Sequence, residues 1–497
     1  MELKIKILKW SAGLPVAMMN KKTAENIGVH AQDRISIKTF SRKSQDFSTI
    51  VDIVEKIVRK NELGVSSEIA QRLNLKRGQR VDVNLAELPD SLEFIKKKLL
   101  NKKLSKEEIY KIIEDIVDNS LSEAEIALFI SAMHQQGMNF EETIDLIKAI
   151  LKYGNTLKLN KKIIVDKHSI GGVPGNRTTP IVVSICAAAD LTIPKSSSRA
   201  ITSAAGTADV IESVAKIEFS REELKEIVDK TNACMIWGGS LGLVPADSRI
   251  IKVEKMLKID PKAQLLASIF SKKLAMGSNV HSKFILIDIP YGKGAKVSKQ
   301  HAMELKKDFE KLGRYFNKKV KVVLTDGKQP IGNGVGPVLE LMDVVKVLDP
   351  KQQGPKDLEE KAVFLAGLLL EMAGKAKKGK GVELAKEILY CGKALDKFKE
   401  IIKTQKGHLN GLRYGKYKKN VFSKRSGKII EIENKKINLL ARTAGCPLDK
   451  SSGVYIYFHV GEKVKKKEKI LTIYAESKSR LREAVRFYNE ERPIVIR

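Results

Sequence analysis

VDKHSIGGVPGNRTT, from Val165 to Thr179, sets a lysine, a histidine, an arginine, hydroxyl side chains and turn-forming glycines in one short run. Such a run can wrap a polyanion with backbone and side-chain donors. In front of it, KIIVD reads as a strand, and PIVVSICAAA behind it reads as a helix opening where the run ends. That is the geometry in which anions bind at a helix N-terminus beyond the carboxyl end of a strand. A purely structural loop is the other reading. Lys167 precedes the glycines and no GxGxxG follows, so ATP hydrolysis and dinucleotide chemistry both lose support. A second run, SSRAITSAAGTADVIE (Ser197 to Glu212), supplies more hydroxyls.

Outward from these runs, the text after Ile163 is one of apolar segments, KIIVDK, PIVVSICAAADL, LTIPKSS, KFILIDIP and KVKVVLTDG. They read as short buried strands alternating with helices, an α/β pattern with a largely parallel sheet, PIVVSICAAA being open to either reading. Upstream, Ser105 with Glu108, Ser122 with Glu125, and Asn139 with Glu142 have the spacing of capping boxes ahead of amphipathic helices. Further upstream, TAENIGVHAQDRISIKTF (Thr23 to Phe40) resembles SSEIAQRLNLKRGQRVDVNLA (Ser66 to Ala86), each copy a short helix, a turn and an alternating strand. Two such halves predict a small pseudo-symmetric β-barrel. From about Lys416 the chain turns β-rich and resembles the barrel-sandwich strands of lipoyl and biotinyl domains, without a lysine in an MKM-type hairpin.

The expected architecture is α/β multidomain: a barrel-like accessory domain over 1–86, a helical subdomain over 87–160, an α/β phosphate-binding catalytic domain over 161–412, and a β-rich barrel-sandwich-like domain over 413–497. Helices around 220–275 are expected to pack on the helical subdomain. With 497 residues, 43% hydrophobic and 30% charged, the chain is long enough for several cores. MELKIKILKW lacks the apolar core of a signal peptide, and no apolar run approaches the roughly 20 residues that span a bilayer. A cytoplasmic protein with no membrane partner is expected. Cys186, Cys234, Cys391 and Cys446 stand singly, without metal-ligand spacing, and are expected to be buried thiols. The net charge of +32 raises nucleic acid as a ligand, but the lysines are interleaved with glutamates and aromatics make up only 6%, which reads against it. A positive field that draws in anionic substrates is the reading preferred.

The signature Ser197 to Glu212 resembles that of the thymidine and pyrimidine nucleoside phosphorylase family, most closely its archaeal branch acting on nucleoside 5′-monophosphates. The resemblance continues in DKHSIGG, LVPADSR (Leu243 to Arg249), ASIFSKKLA (Ala267 to Ala275), TDGKQPIGNGVGPVLE (Thr325 to Glu340) and GKALDKFKEII (Gly392 to Ile402). It implies phosphorolysis of a glycosidic bond by inorganic phosphate, without metal or organic cofactor, in a homodimer or larger homo-oligomer. The cleft it implies lies between the helical subdomain and the α/β domain. Carried over position by position, Lys167, Ser169, Thr179, Ser197 and Thr207 match phosphate-binding positions. Gly172, Ser198, Arg199, Ala200, Ile201, Thr202, Ser203, Thr207, Ser268, Lys272 and Lys296 match substrate-contacting ones. Asp260 and His168 are the two candidates for protonating the leaving base, Asp260 being preferred. A general acid must hold its proton at neutral pH, so Asp260 needs burial or a neighbouring carboxylate; its place before Pro261 also fits an ordinary helix cap.

Departures from the thymidine pattern point to the substrate. Val253 stands where thymidine phosphorylases carry a base-contacting arginine, and PGNR replaces an acidic turn at Asn176 and Arg177. The added positive charge suits a second phosphate. The implied reaction is AMP plus phosphate giving adenine and ribose 1,5-bisphosphate, with CMP and UMP as further substrates. A pyrimidine nucleoside phosphorylase is the alternative, and a non-catalytic RNA-binding protein the second alternative.

Overall fold

The two copies of the N-terminal repeat fold alike. Each gives a short helix, Lys21–Ile27 or Ser67–Arg72, and then a strand, Arg34–Thr39 or Arg80–Leu85. Ile35, Ile37, Val81 and Val83 alternate with polar residues and turn to one side, where they are fully buried. The two repeat strands pair antiparallel with Ile37 opposite Val83. Parallel pairing of Glu2–Ile7 with Glu62–Val65 and of Ala17–Asn20 with Asp46–Val54 completes a closed barrel.

This barrel belongs to one of two compact units, Met1–Asn155 with Val244–Ser271; the other is Thr156–Leu243 with Lys272–Arg497. The computed structural model describes residues 1–8, 15–40, 45–200, 203–239, 242–277 and 283–497. In the first unit, Ser105, Ser122 and Asn139 all form the capping boxes expected of them, opening helices Lys106–Val117, Glu123–Gln136 and Phe140–Lys152. Helix Pro245–Leu257 packs on these three. Helix Arg221–Thr231, expected beside them, instead packs in the second unit on strand Ala233–Trp237 and helix Lys393–Thr404. The barrel docks on the bundle through polar groups. Arg34 reaches Glu125 and the Ser120 carbonyl, and Arg72 pairs with Asp118 (2.7 Å for Nη2 to Oδ2).

The second unit holds the parallel sheet. Strands Lys283–Tyr291 and Lys319–Asp326 run parallel to Ile164–Ser169 on one side. On the other, a parallel bridge from Ile164 to Thr192 leads to Ile193–Ser197, which pairs in parallel with Ala233–Trp237. PIVVSICAAA is a helix, Thr178–Ala188, buried along nearly its whole length against helices Lys356–Met372 and Lys393–Thr404. Burial on every face removes the 3.6-residue pattern that would have told it from a strand. The C-terminal region has the expected strands, but in two small sheets, and adds two helices, Asn434–Ala444 and Lys478–Glu491, that the β-rich reading lacked. Their apolar faces close a core with Ile429, Val454, Leu471 and Ile473. Of the cysteines, Cys186, Cys234 and Cys446 are buried; Cys391 is exposed, contrary to expectation. Among the described residues no helix is long and apolar enough to cross a membrane.

Glu142 joins the helices of the bundle. Its carboxylate accepts from the Lys98 ammonium (2.9 Å), the Leu104 amide (3.0 Å) and the Asn139 amide (2.9 Å), and both ends of the ion pair are almost wholly buried. Glu142→Ala would leave the Lys98 charge buried and unpaired, costing about 3–5 kcal/mol. Circular dichroism melting should show the midpoint falling in Glu142→Ala and falling less in Glu142→Gln; an unchanged midpoint would contradict this account.

Candidate active site

At the carboxyl end of strand Ile164–Ser169 the chain enters the glycine-rich run, and glycine is required there for space. Gly175 has φ +69°, and a Cβ on it would lie 2.2 Å from the Ile331 carbonyl oxygen. Ile331 donates its amide to the Pro174 carbonyl (3.0 Å), so the loop is seated on residues 331–334. Gly172 has φ +91°, and a Cβ there would lie 2.8 Å from the Lys296 amide nitrogen, which brings these two expected substrate positions together. The loop ends at the first turn of helix Thr178–Ala188, whose unpaired amides carry partial positive charge.

Lys167 is buried and donates to the hydroxyls of Thr178 (2.8 Å) and Thr179 (3.3 Å). Burial brings its ammonium down to about 7; Asp288 opposes the shift, while Lys361, Arg177 and Lys273 reinforce it. His168 is held well below its ordinary value by burial and by Lys273, Lys195, Lys272 and Lys167. It is therefore neutral at pH 7, which removes it as a ready proton donor in this state. Beneath the loop, Asp166 receives Lys273 at 2.8 Å and Lys283 at 3.7 Å. Burial would raise its carboxyl, but Lys273, Lys283 and Lys195 outweigh that and hold it low. Asp288 accepts from the Thr325 hydroxyl (2.5 Å) and pairs with Lys361 (3.2 Å). Ser169 lies beside Asn176, whose Nδ2 is 3.5 Å from its hydroxyl.

Ser197 ends the neighbouring strand, and its hydroxyl oxygen is buried without a hydrogen-bond partner among the described residues. The signature then folds back on Asp209, which accepts the amides of Ala200 (2.6 Å) and Gly206 (2.9 Å). Two arginines of this region have partners within the chain. Arg199, expected to contact substrate, gives its guanidinium to Glu212 in two 2.6 Å bonds, with Glu218 at 3.3 Å, and lies over the Trp237 ring. Hydrogen bonding from Arg199 holds Glu212 down at about 2. The side chain is a clamp on its own loop. Arg177, expected to add free positive charge, is buried and bound to Glu340 (2.6 Å), the Thr207 hydroxyl (2.8 Å) and the Ala205 carbonyl (3.0 Å). Its charge is neutralised inside the fold.

Ser198 is exposed, Ser203 bonds the Ala205 carbonyl, and Ile201 and Thr202 lie outside the described residues. The C-terminal module grips the same segment: Asn438 accepts the Ala204 amide (2.9 Å), Arg442 donates to the Ser203 carbonyl (3.2 Å), and Lys450 pairs with Glu212 (2.6 Å). Lys272 and Ser268 share helix Lys262–Ala275 at a spacing of four residues, on one face. Ser268 falls in the first unit and Lys272 in the second. Val253 is buried in helix Pro245–Leu257. Asp260, also in the first unit, is exposed, so burial does not supply the environment expected for an acid. The second unit thus carries Lys167, His168, Ser169 and Ser197 at the carboxyl ends of parallel strands, and Gly172, Thr179, Thr207 and Lys296 in the loops and first helical turns beyond strands.

Sequence reasoning missed Thr178, Asp166, Lys195, Asp288 and Glu340. A signal was available for several. Asp166, Lys195 and Asp288 are charged residues inside apolar strand runs, where a charge is tolerated only if it is paired. Among the described residues no group of three or more histidine, cysteine, aspartate or glutamate side chains has the arrangement to hold a metal.

Residues 92–154 match the helical bundle domain of the glycosyl transferase family, 161–395 its a/b domain, and 428–495 the pyrimidine nucleoside phosphorylase C-terminal domain. The solved anthranilate phosphoribosyltransferase of Thermus thermophilus shares the fold, with a TM-score of 0.51 at 18% identity over 63% of this chain and 99% of that one. These matches and the anion loop define the class, an enzyme that transfers pentosyl groups. Curated proteins named AMP phosphorylase resemble the chain over almost its whole length. That of Pyrococcus furiosus is 44% identical over 99% of this chain and 97% of its own, that of Thermococcus kodakarensis 44% over 100% and 98%, and that of Methanococcus vannielii 40% over 99% and 97%. The chain belongs to the AMP phosphorylase family.

Binding of an anion beside Lys167 would carry a pH dependence whose sign follows from linkage. The free loop holds the ammonium near 7, and a bound anion favours the charged form. Affinity is therefore greatest below about pH 7 and falls as pH rises, by up to about tenfold per unit. Sulfate is a suitable probe because its own charge is constant over this range. Calorimetric titration of sulfate from about pH 6 to pH 8.5 should show that fall, and a flat profile would contradict it.

Proposed function

We propose that this chain cleaves the glycosidic bond of AMP with inorganic phosphate, giving adenine and ribose 1,5-bisphosphate, with CMP and UMP as further substrates. The observation that carries the reading is the placing of Lys167, Ser169 and Ser197 at the carboxyl ends of parallel strands, with Thr179 and Thr207 in first helical turns beyond strands. All five offer N–H or O–H groups, and Ser197 has a buried hydroxyl with no partner among the described residues. A phosphate oxygen held there attacks the anomeric carbon. The bond to the base breaks with its electron pair leaving on the base nitrogen, and the base takes up a proton. Fixed donors in a water-poor site stabilise the charge that develops between phosphate, sugar and base.

In this reading Asp260 is the proton donor and neutral His168 a hydrogen-bonding neighbour of the reacting groups. The 5′-phosphate rests on the loop amides of the signature and on Lys296 rather than on Arg177 or Arg199, whose guanidinium groups are already committed. Val253 in place of an arginine supports a base other than thymine. Residues 1–86 and 413–497 then serve as accessory domains, 87–160 as the helical subdomain and 161–412 as the catalytic domain, and the enzyme works without a cofactor as a homo-oligomer in the cytoplasm.

The direct test is to incubate the chain with AMP and phosphate and to measure free adenine and ribose 1,5-bisphosphate, with adenosine and thymidine alongside. AMP should be consumed fastest and only with phosphate present; preferential cleavage of thymidine would establish the nucleoside enzyme instead. Asp260→Asn should lower turnover about 10²–10⁴-fold while AMP binding changes little. Near-normal turnover would remove Asp260 from the acid's role.

A further inference from the structure

Arg177 makes contacts that neither a phosphate ligand nor a loop spacer needs. It lies in the PGNR turn, is buried, and binds two other segments at once through three groups. Nε meets Glu340 at 2.6 Å, Nη2 meets the Ala205 carbonyl at 3.0 Å, and Nη1 donates to the Thr207 hydroxyl at 2.8 Å. Glu340 is almost wholly buried; its other oxygen accepts the Gly336 amide at 3.0 Å. Burial raises its carboxyl, and Arg177 is the first influence opposing that. Arginine's planar fork suits this arrangement, because one group can satisfy a carboxylate, a carbonyl and a hydroxyl in fixed directions.

The contact with Thr207 has a chemical consequence. A hydroxyl has one hydrogen to donate and lone pairs to accept with. Arg177 carries only donors, so the Thr207 oxygen must accept from it, and the hydroxyl hydrogen is left for another group. Lys167 does the same to Thr178 and Thr179. Cations thus sit behind three threonines of the loop and signature. Each leaves an O–H directed elsewhere, as an unprotonated oxyanion requires.

We propose that Arg177 is a positioning residue of the anion site: through its bond to Thr207 it turns that hydroxyl into a phosphate donor, while Glu340 neutralises its charge. The proposal rests on the reading that phosphate binds this loop. It makes the PGNR turn a device for orientation. The pair also ties three stretches distant in sequence, residues 175–179, 205–207 and 336–340, into one rigid frame.

The test is a double-mutant cycle on the full chain, with inorganic phosphate titrated by calorimetry and AMP titrated separately. Thr207→Val should weaken phosphate binding about 10- to 100-fold, the range for a lost hydrogen bond to a charged group, and Thr207→Ser should restore it. Arg177→Lys, which keeps a cation beside Glu340 but not the fork, should weaken phosphate to a similar degree. The combined Arg177→Lys and Thr207→Val variant should be no worse than Thr207→Val alone, because Arg177 acts through that hydroxyl. AMP affinity should fall in the same non-additive pattern, because Thr207 also matches a substrate-contacting position. If Arg177→Lys does not fold, Arg177→Gln with Glu340→Gln removes both buried charges together, and it should show the same phosphate loss with no further loss on adding Thr207→Val. Additive losses, phosphate affinity unchanged in Thr207→Val, or unchanged in the folded Arg177 variant, would each overturn the proposal. A wild-type chain that binds phosphate but releases no base from AMP would sink the proposed activity and leave this cycle valid.

Discussion

Buried positive charge at the end of one parallel strand is the constraint around which the α/β unit is organised. Lys167, Lys195, Lys273 and Lys283 are each at most 4% exposed, and the carboxylates woven among them are Asp166 and Asp288. Like charges packed in a poorly solvated interior repel strongly, and each must be compensated or lose its proton. The strand termini answer in layers. Asp166 holds Lys273 and Lys283 below the loop, Asp288 holds Lys361 beside it, and the threonine hydroxyls take the Lys167 ammonium above. Lys167 is the member of this group that lies next to the glycine-rich turn, held by the hydroxyls of Thr178 and Thr179.

Much of this was legible in the sequence, for identifiable reasons. Capping boxes are local, since Ser105, Ser122 and Asn139 need only a glutamate three residues on, and all three formed. The barrel followed from a repeat of helix, turn and alternating strand, whose period two pointed the same side chains inward in both copies. Interactions that join distant segments were not legible. Arg177 read as spare charge because nothing in PGNR announces Glu340, which lies far along the chain. Arg199 read as a substrate contact for the same reason, its partners being downstream in the same motif but brought back by a fold. The helices Asn434–Ala444 and Lys478–Glu491 were hidden behind strand-like neighbours and a familiar likeness. Thr178–Ala188 was ambiguous because a helix buried on every side carries no amphipathic signal.

The bonds that Arg199 makes within the chain change how the signature should be understood. A motif of serine, arginine, aspartate and glutamate suggests a set of ligands, yet Arg199, Asp209 and Glu212 bind one another and the loop backbone. These bonds tie together the parts of the signature that flank Ser197 and Thr207. Much of what makes the motif recognisable is therefore internal bracing. Pre-organisation of that kind is what lets weak individual donors act together on an anion.

The hold of Asn438, Arg442 and Lys450 on Ser203, Ala204 and Glu212 has a consequence for the making of the protein. During synthesis the barrel has all its strands once residue 85 has emerged, so it can close early. The signature segment, made before the midpoint of the chain, waits for braces that leave the ribosome near the end. Nascent or truncated chains therefore carry the signature segment without these braces, which arrive only when translation is almost complete.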